Sequence, residues 1–179
     1  IVVVTRPDLL EPVAEACRRA GLAKVKTVIA GGATRQASVA LGLAALSAPA
    51  LAAVQDGARP FVTPELIDRV VRAANAYGAA APAVPVRDTI KVARGGLVER
   101  TPDRSALAAV QTPQVFDYDL LQAALNQADK EHAVVTDDCS AVERLGMKVK
   151  LVEGEERNFK VTTRQDLLLA RALLQEEET

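Results

Sequence analysis

Residues 51–64 read Leu-Ala-Ala-Val-Gln-Asp-Gly-Ala-Arg-Pro-Phe-Val-Thr-Pro, and a strand hands over to a helix within them. Leu51 to Val54 is a short apolar run that reads as a strand ending at Asp56. Thr63 is placed as an N-cap, and Pro64 takes the first helical position, where its missing N–H is not needed. A helix is therefore predicted from there to Gly78.

Working outward, the same unit recurs. Ile1 to Thr5 is a β-branched run suited to a strand buried on both faces. After it, Asp8 is a predicted N-cap, Leu9, Val13 and Cys17 form a stripe at helical spacing, and Gly21 stands where a left-handed residue closes a helix. Val25 to Ile29 reads as a strand ending at Gly31-Gly32, and Gln36 to Leu46 as an Ala/Leu helix. Downstream, Asp117 opens a helix, Asp137-Asp138 precede a short one ending at Gly146, Met147 to Val152 reads as a strand, and Asn158 to Val161 as a short extended piece. Thr163 with Asp166 three residues later forms a capping-box pattern for a last helix that frays into Glu176-Glu177-Glu178. Strands alternating with helices predict parallel pairing through crossovers with helices on both faces. The expected fold is α/β: a Rossmann-like, doubly wound, mostly parallel sheet in a single domain spanning residues 1–179.

The alternation breaks once. Thr89 to Ala93 and Leu97 to Thr101 flank Arg94-Gly95-Gly96, two strands around a glycine turn. This predicts a protruding β-hairpin arm over about residues 88–103, too short to hold a core of its own and therefore packed on a neighbour or a second subunit.

Composition narrows the chemistry. With 22 basic and 23 acidic residues and five scattered aromatics (Phe61, Tyr77, Phe116, Tyr118, Phe159), the chain lacks the basic excess and stacking platforms of a nucleic-acid surface. Cys17 and Cys139 lie far apart and neither has a partner at metal-ligand spacing, so neither a disulfide nor a zinc site is expected. No charge-free apolar run reaches the roughly 18 residues of a membrane span, and the expected location is the cytoplasm.

In open α/β sheets ligands bind beyond the carboxyl ends of the strands. The polar residues there are Gly31-Gly32 with Arg35 and Ser38, Asp56 with Arg59, Arg87-Asp88-Thr89, Thr112 with Gln114, Thr136, and Lys160 with Thr162. The set is rich in hydroxyls and cations, and it lacks a histidine or a reactive cysteine. Phosphoryl and nucleotidyl transfer need neither, because they proceed by positioning and by neutralising charge on phosphate oxygens. Each piece alone has a plainer explanation: Gly31-Gly32 a strand-to-helix turn, Asp56 a turn former, Thr136 a helix cap, Lys160 a solvated strand residue, Arg104 a loop charge. His132, the only histidine, sits at a polar helix end without an evident task.

Order and spacing add what the pieces lack. Gly31-Gly32-Ala33-Thr34-Arg35-Gln36-Ala37-Ser38-Val39, then Gln55-Asp56-Gly57-Ala58-Arg59-Pro60, Pro85 to Lys91, Arg104 before Gln111-Thr112-Pro113-Gln114-Val115-Phe116, Val135-Thr136-Asp137-Asp138 with Val142-Glu143, and Glu153-Gly154 followed by Asn158 to Thr162 resemble the motifs of the 2-C-methyl-D-erythritol 4-phosphate cytidylyltransferase family, in that family's order. The resemblance implies transfer of CMP from CTP to 2-C-methyl-D-erythritol 4-phosphate in isoprenoid precursor biosynthesis. It implies that Gly31, Gly32, Arg35, Ser38, Asp56 and Gly57 bind the nucleotide, with Gly32 and Ser38 meeting the cytosine. Arg59, Thr89, Arg104, Thr112, Thr136, Lys160 and Thr162 would bind the other substrate, and Asp56 and Lys160 would be catalytic. Mg2+ would be held mainly by the CTP phosphates with Asp56 as a possible ligand, and a homodimer would form through the arm, with Thr89 and Arg104 reaching in from the partner.

Three features depart from the family pattern. Gln55 stands where the family often has histidine, and Ala33 where it often has a polar residue. The family's first Gly-rich loop has no counterpart, and roughly 45 to 50 further residues are expected upstream of Ile1, about one Gly-rich βα unit. A ribitol-5-phosphate cytidylyltransferase and a catalytically silent scaffold domain are the alternatives.

Overall fold

The computed structural model describes residues 1–177, with side chains through residue 175. The chain gathers into two compact units, Ile1–Val54 with Phe116–Val149 and Gln55–Val115 with Lys150–Thr179.

In the first unit, β1 (Val2–Thr5) and β2 (Thr27–Ala30) pair in parallel, Val2 opposite Thr27 and Thr5 opposite Ala30. Parallel neighbours need a crossover, and α1 (Leu10–Arg19) supplies it. Its start corrects the expectation for Asp8. A single 3-10 turn, Pro7–Leu9, comes first, and no side chain caps α1. Asp8 is instead held by Arg6, whose Nε donates to it at 3.0 Å, a charged partner that outcompetes a backbone N–H. Gly21 has the expected left-handed conformation.

The next helix, α2 (Arg35–Ala44), starts where Thr34 Oγ1 accepts from the Ala37 N–H at 3.1 Å. Leu51–Val54 forms β3 as read. In α4 (Tyr118–Lys130), capped by Asp117, residues Leu121, Ala124, Leu125 and Ala128 are buried at the i, i+3, i+4, i+7 spacing of one helix face. Burying each leucine stabilises by roughly 1.5–3 kcal/mol. α5 (Asp138–Arg144) opens with a reciprocal capping box between Asp137 and Ser140.

The second unit is built on α3 (Pro64–Tyr77), capped by Thr63 and ended by Gly78 as predicted. Its buried stripe of Leu66, Val70 and Ala74 faces β4 (Ala79–Pro85). That strand pairs in parallel with β9 (Lys150–Glu153) and antiparallel with β7 (Ala108–Val110). The sequence reading contains neither β4 nor β7, nor β8 (Gln114–Asp117), which carries the chain back into the first unit. β9 begins at Lys150, later than the predicted Met147, and Asn158 to Val161 joins no strand ladder.

The hairpin is present as β5 (Val92–Arg94) and β6 (Leu97–Arg100), shorter than expected and antiparallel. Gly95 and Gly96 have φ of +57° and +80°, the two successive positive values that a tight two-residue turn requires and that glycine alone adopts without strain. Leu97 and Val98 are 75% and 60% exposed. The last helix, α6 (Arg164–Glu177), opens with the predicted reciprocal bonds: Thr163 N–H donates to Asp166 and Asp166 N–H to Thr163 Oγ1. The fraying expected at Glu178 lies outside the described residues.

Candidate functional site

Two groups of the predicted residues are each assembled within one unit. In the first unit Gly31-Gly32 follow β2 and wrap onto the start of α2. A Cβ at Gly31 would lie 2.6 Å from Ser38 Oγ, and one at Gly32 would lie 2.5 Å from the Ala37 Cβ. A side chain at Gly31 would push the Ser38 hydroxyl aside, and one at Gly32 would collide with the first turn of α2. Ser38 Oγ donates to Thr34 O at 2.9 Å and accepts from the Gly32 N–H at 3.1 Å. A hydroxyl has one proton and two lone pairs, so toward a ligand Ser38 offers an acceptor. Arg35 Nη2 lies 2.7 Å from Asp138 Oδ2, tying the start of α2 to the start of α5. The Asp138 carboxylate is buried, and a buried charge of this kind is tolerated only when paired and hydrogen-bonded. Burial, with the carboxylates around it, raises the Cys139 thiol well above its ordinary range, so this cysteine is no thiolate nucleophile. Thr136 is exposed, its N–H donating to Ser140 Oγ.

In the second unit Asp56, Arg59, Thr112 and Lys160 come together although they lie far apart in the sequence. Lys160 Nζ lies 3.0 Å from Asp56 Oδ2 and Arg59 Nε 3.9 Å from the same oxygen, with the Asp56 carboxylate only 15% exposed. Arg59 also donates from Nη1 to the Asn158 carbonyl at 2.7 Å. Its Nε, buried, has no hydrogen-bond partner among the described residues. Burial pulls the Arg59 guanidinium below its ordinary value, and Asp56 opposes that pull. Gly57 is exposed, with open space where a Cβ would stand.

Thr112 is bonded to the loop that carries Asp56. Its Oγ1 donates to Gln55 Oε1 at 2.9 Å and accepts from the Asp56 N–H at 3.1 Å. Its one proton is engaged by Gln55, and its lone pair holds the Asp56 N–H. Thr162 is similar: its hydroxyl and N–H, with the Thr163 N–H, all donate to Asp166. Those bonds, the Thr162 N–H first among them, lower Asp166 to about 2. Thr89 and Arg104 are exposed at the arm, and Arg104 donates to the Arg87 carbonyl at 2.8 Å.

Sequence reasoning misses three side chains of this cluster. Gln55 reads there only as a departure from a family pattern, yet its Nε2 donates to the carbonyls of Asp56 and Arg59. Gln111 and Asn158 are buried, and the one signal for them is their position beside Thr112 and Lys160. No group of three or more His, Cys, Asp and Glu residues suited to a metal ion gathers among the described residues. No helix among them is long and apolar enough to cross a membrane.

A family model described as 2-C-methyl-D-erythritol 4-phosphate cytidylyltransferase matches residues 1–176. A Halalkalibacterium halodurans protein of that name is 46% identical over 178 residues, covering 99% of this chain and 78% of that protein. One from Geobacillus kaustophilus is 47% identical over 174 residues, covering 97% and 76%. The crystal structure of 2-C-methyl-D-erythritol 4-phosphate cytidylyltransferase from Thermus thermophilus matches with a TM-score of 0.80 at 36% identity, covering 98% of each chain. The 4-diphosphocytidyl-2C-methyl-D-erythritol synthase of Anaerococcus prevotii matches with a TM-score of 0.88 at 32% identity, over 98% of this chain and 78% of that one. The α/β fold expected from the sequence is thus the fold of these solved structures.

Proposed function

Because the chain belongs to the 2-C-methyl-D-erythritol 4-phosphate cytidylyltransferase family, we propose that it transfers CMP from CTP to 2-C-methyl-D-erythritol 4-phosphate. The products are 4-diphosphocytidyl-2-C-methyl-D-erythritol and pyrophosphate, on the route to isoprenoid precursors. The observation that carries this proposal is the pair of cations on one carboxylate: Lys160 and Arg59 share Asp56. One anion cannot balance two cations, so the cluster keeps a surplus positive charge where a phosphate is to be met.

An oxygen of the acceptor phosphate attacks the α-phosphorus of CTP in line. The new P–O bond forms as the bond to the bridging oxygen breaks, and pyrophosphate leaves with that electron pair. Lys160 neutralises charge that builds on the α-phosphate oxygens. Stabilising charge that develops only in the transition state raises kcat instead of merely tightening binding. Arg59 holds the acceptor. Thr112 contributes by fixing Asp56, and Thr162 by fixing the start of α6 beyond Lys160. Gly31, Gly32 and Ser38 take the nucleobase, with Arg35 bracing their loop through Asp138, and Gly57 leaves room at the nucleotide. Thr136 belongs to the acceptor set.

Mg2+ is part of the proposal. The Asp56 carboxylate between Lys160 and Arg59 suits an ion that binds through one or two carboxylates and substrate phosphates. Asp56 would help to hold it, and it would supply neutralisation of charge on the triphosphate. The exposed Leu97 and Val98 of the arm support a homodimer in which Thr89 and Arg104 serve the partner's acceptor site, and a cytoplasmic location belongs to the same proposal.

The test is pyrophosphate release with CTP and Mg2+, with 2-C-methyl-D-erythritol 4-phosphate and ribitol 5-phosphate offered separately. Release with the first alone, and a fall of about 10²–10³-fold in kcat for Lys160→Ala, is expected. Release with ribitol phosphate instead would overturn the acceptor assignment, and silence with both would overturn the activity.

A further inference from the structure

Lys160 is exposed, and a lysine has a long flexible stem, so its meeting with Asp56 depends on how the backbone beneath it is held. Asn158, two residues earlier and fully buried, does much of that holding. Its Nδ2 donates to the Thr112 carbonyl at 2.8 Å and lies 3.4 Å from Gln111 Oε1. Gln111 in turn grips the same segment, donating from Nε2 to the Glu155 carbonyl and accepting from the Glu155 N–H. The neighbours of Asn158 complete a three-point attachment: Phe159 stacks on Phe61 with ring centroids 5.6 Å apart, and the Val161 N–H donates to the Ala58 carbonyl at 2.8 Å.

Every partner of this attachment lies beside a residue of the cluster. Thr112 holds Asp56, Phe61 follows Arg59 by two positions, and Ala58 lies between Gly57 and Arg59. The arrangement is also poor as pure stabilisation, because Asn158 Oδ1 is buried with no hydrogen-bond partner among the described residues. Leaving a buried acceptor unmatched is unfavourable, and an apolar side chain would avoid it.

We propose that Asn158 is the positioning residue of Lys160, its side chain setting the ammonium on Asp56 for the reaction. This rests on the cytidylyl transfer proposed above. Asn158 touches no reacting atom; Arg59 binds its backbone carbonyl, a bond that its substitution leaves in place, so the effect of the side chain is exerted through Lys160 and vanishes when Lys160 is gone.

The experiment is a double-mutant cycle of wild type, Asn158→Ala, Lys160→Ala and the double variant, with kcat and KM read from pyrophosphate release. Asn158→Ala is expected to lower kcat by about 10–100-fold, with KM for CTP nearly unchanged, and to have less than about a twofold effect when Lys160 is already alanine. Equal losses in both backgrounds would show that Asn158 acts on stability alone and would overturn the proposal. Should Asn158→Ala not fold, Asn158→Asp, of the same size but without the amide donor, carries the cycle. Calorimetric binding of inorganic pyrophosphate to the same four proteins separates the two proposals. If the wild type released no pyrophosphate, the transferase assignment would fall. Weakening by Asn158→Ala only where Lys160 is present would still support the positioning role, and weakening in both backgrounds or in neither would overturn it.

Discussion

Thr112→Val isolates what one hydroxyl does in the cluster. Valine has nearly the size of threonine, so the buried site is refilled while two hydrogen bonds, at 2.9 and 3.1 Å, are lost. The two losses are unequal. Gln55 is exposed and can turn its Oε1 to water, whereas the Asp56 N–H is left facing a methyl group. A net hydrogen bond contributes about 0.5–1.5 kcal/mol and a stranded buried donor costs about 1–3 kcal/mol, so a loss of roughly 2 kcal/mol is expected. With a urea m-value of about 2 kcal/mol/M, the unfolding midpoint should fall by about 1 M. Thr112→Ser keeps both bonds and loses one methyl, about 0.8 kcal/mol. In pyrophosphate release, the valine variant should lose kcat while KM for the acceptor stays near wild type, and the serine variant should restore kcat. A valine variant as stable as the serine variant, or one whose acceptor KM rises at unchanged kcat, would refute the assignment of Thr112 to Asp56.

Two further outcomes follow from the geometry. Asp166 has its pKa lowered from 3.8 to about 2 by the donors of Thr162 and Thr163. Its contribution to folding is therefore complete above about pH 4 and disappears as the pH falls through 2. The Tm gap between wild type and Asp166→Asn should be widest near neutrality and close over that acid range, whereas a gap independent of pH would exclude the carboxylate as its source. At the arm, Leu97→Asp places a charge on a 75% exposed apolar side chain. Light scattering should find a dimer for wild type and a monomer for the variant, and equal masses would remove the arm from any dimer interface.

The elements that can be read in the sequence are those whose signals are local. Thr63, Pro64 and Gly78 bracket α3 by capping chemistry that needs no tertiary context, and the glycine pair of the hairpin announces its own turn. β4 cannot be read this way. Its sequence, Ala-Ala-Ala-Pro-Ala-Val-Pro, has one β-branched residue and two prolines, a composition that argues against a central strand. It is a strand because small side chains let α3 lie close on it and because β7 and β9 pair with it. The candidate site divides along the same line. Asp56 and Arg59 are visible as charges following a strand and Lys160 as a charge in an extended piece, but that Thr112 and Thr162 turn their protons inward follows only from the fold. Asn158 lies within a motif without standing out from it, since nothing in a sequence distinguishes a wholly buried amide from an exposed one.

The ion pair between Lys160 and Asp56 has a consequence for turnover. In the proposed reaction the ammonium would enter each cycle already holding a carboxylate, so an arriving phosphate would compete with that partner instead of meeting a bare cation. Its affinity would then be a difference between two contacts, which would disfavour weak monovalent anions and reward groups carrying several charges. On product departure the carboxylate would again be the ammonium's partner, so that no bare cation would be left to hold the product back. In that reaction the resting cluster would act as a return spring, matched to a leaving group that is itself a strongly charged anion.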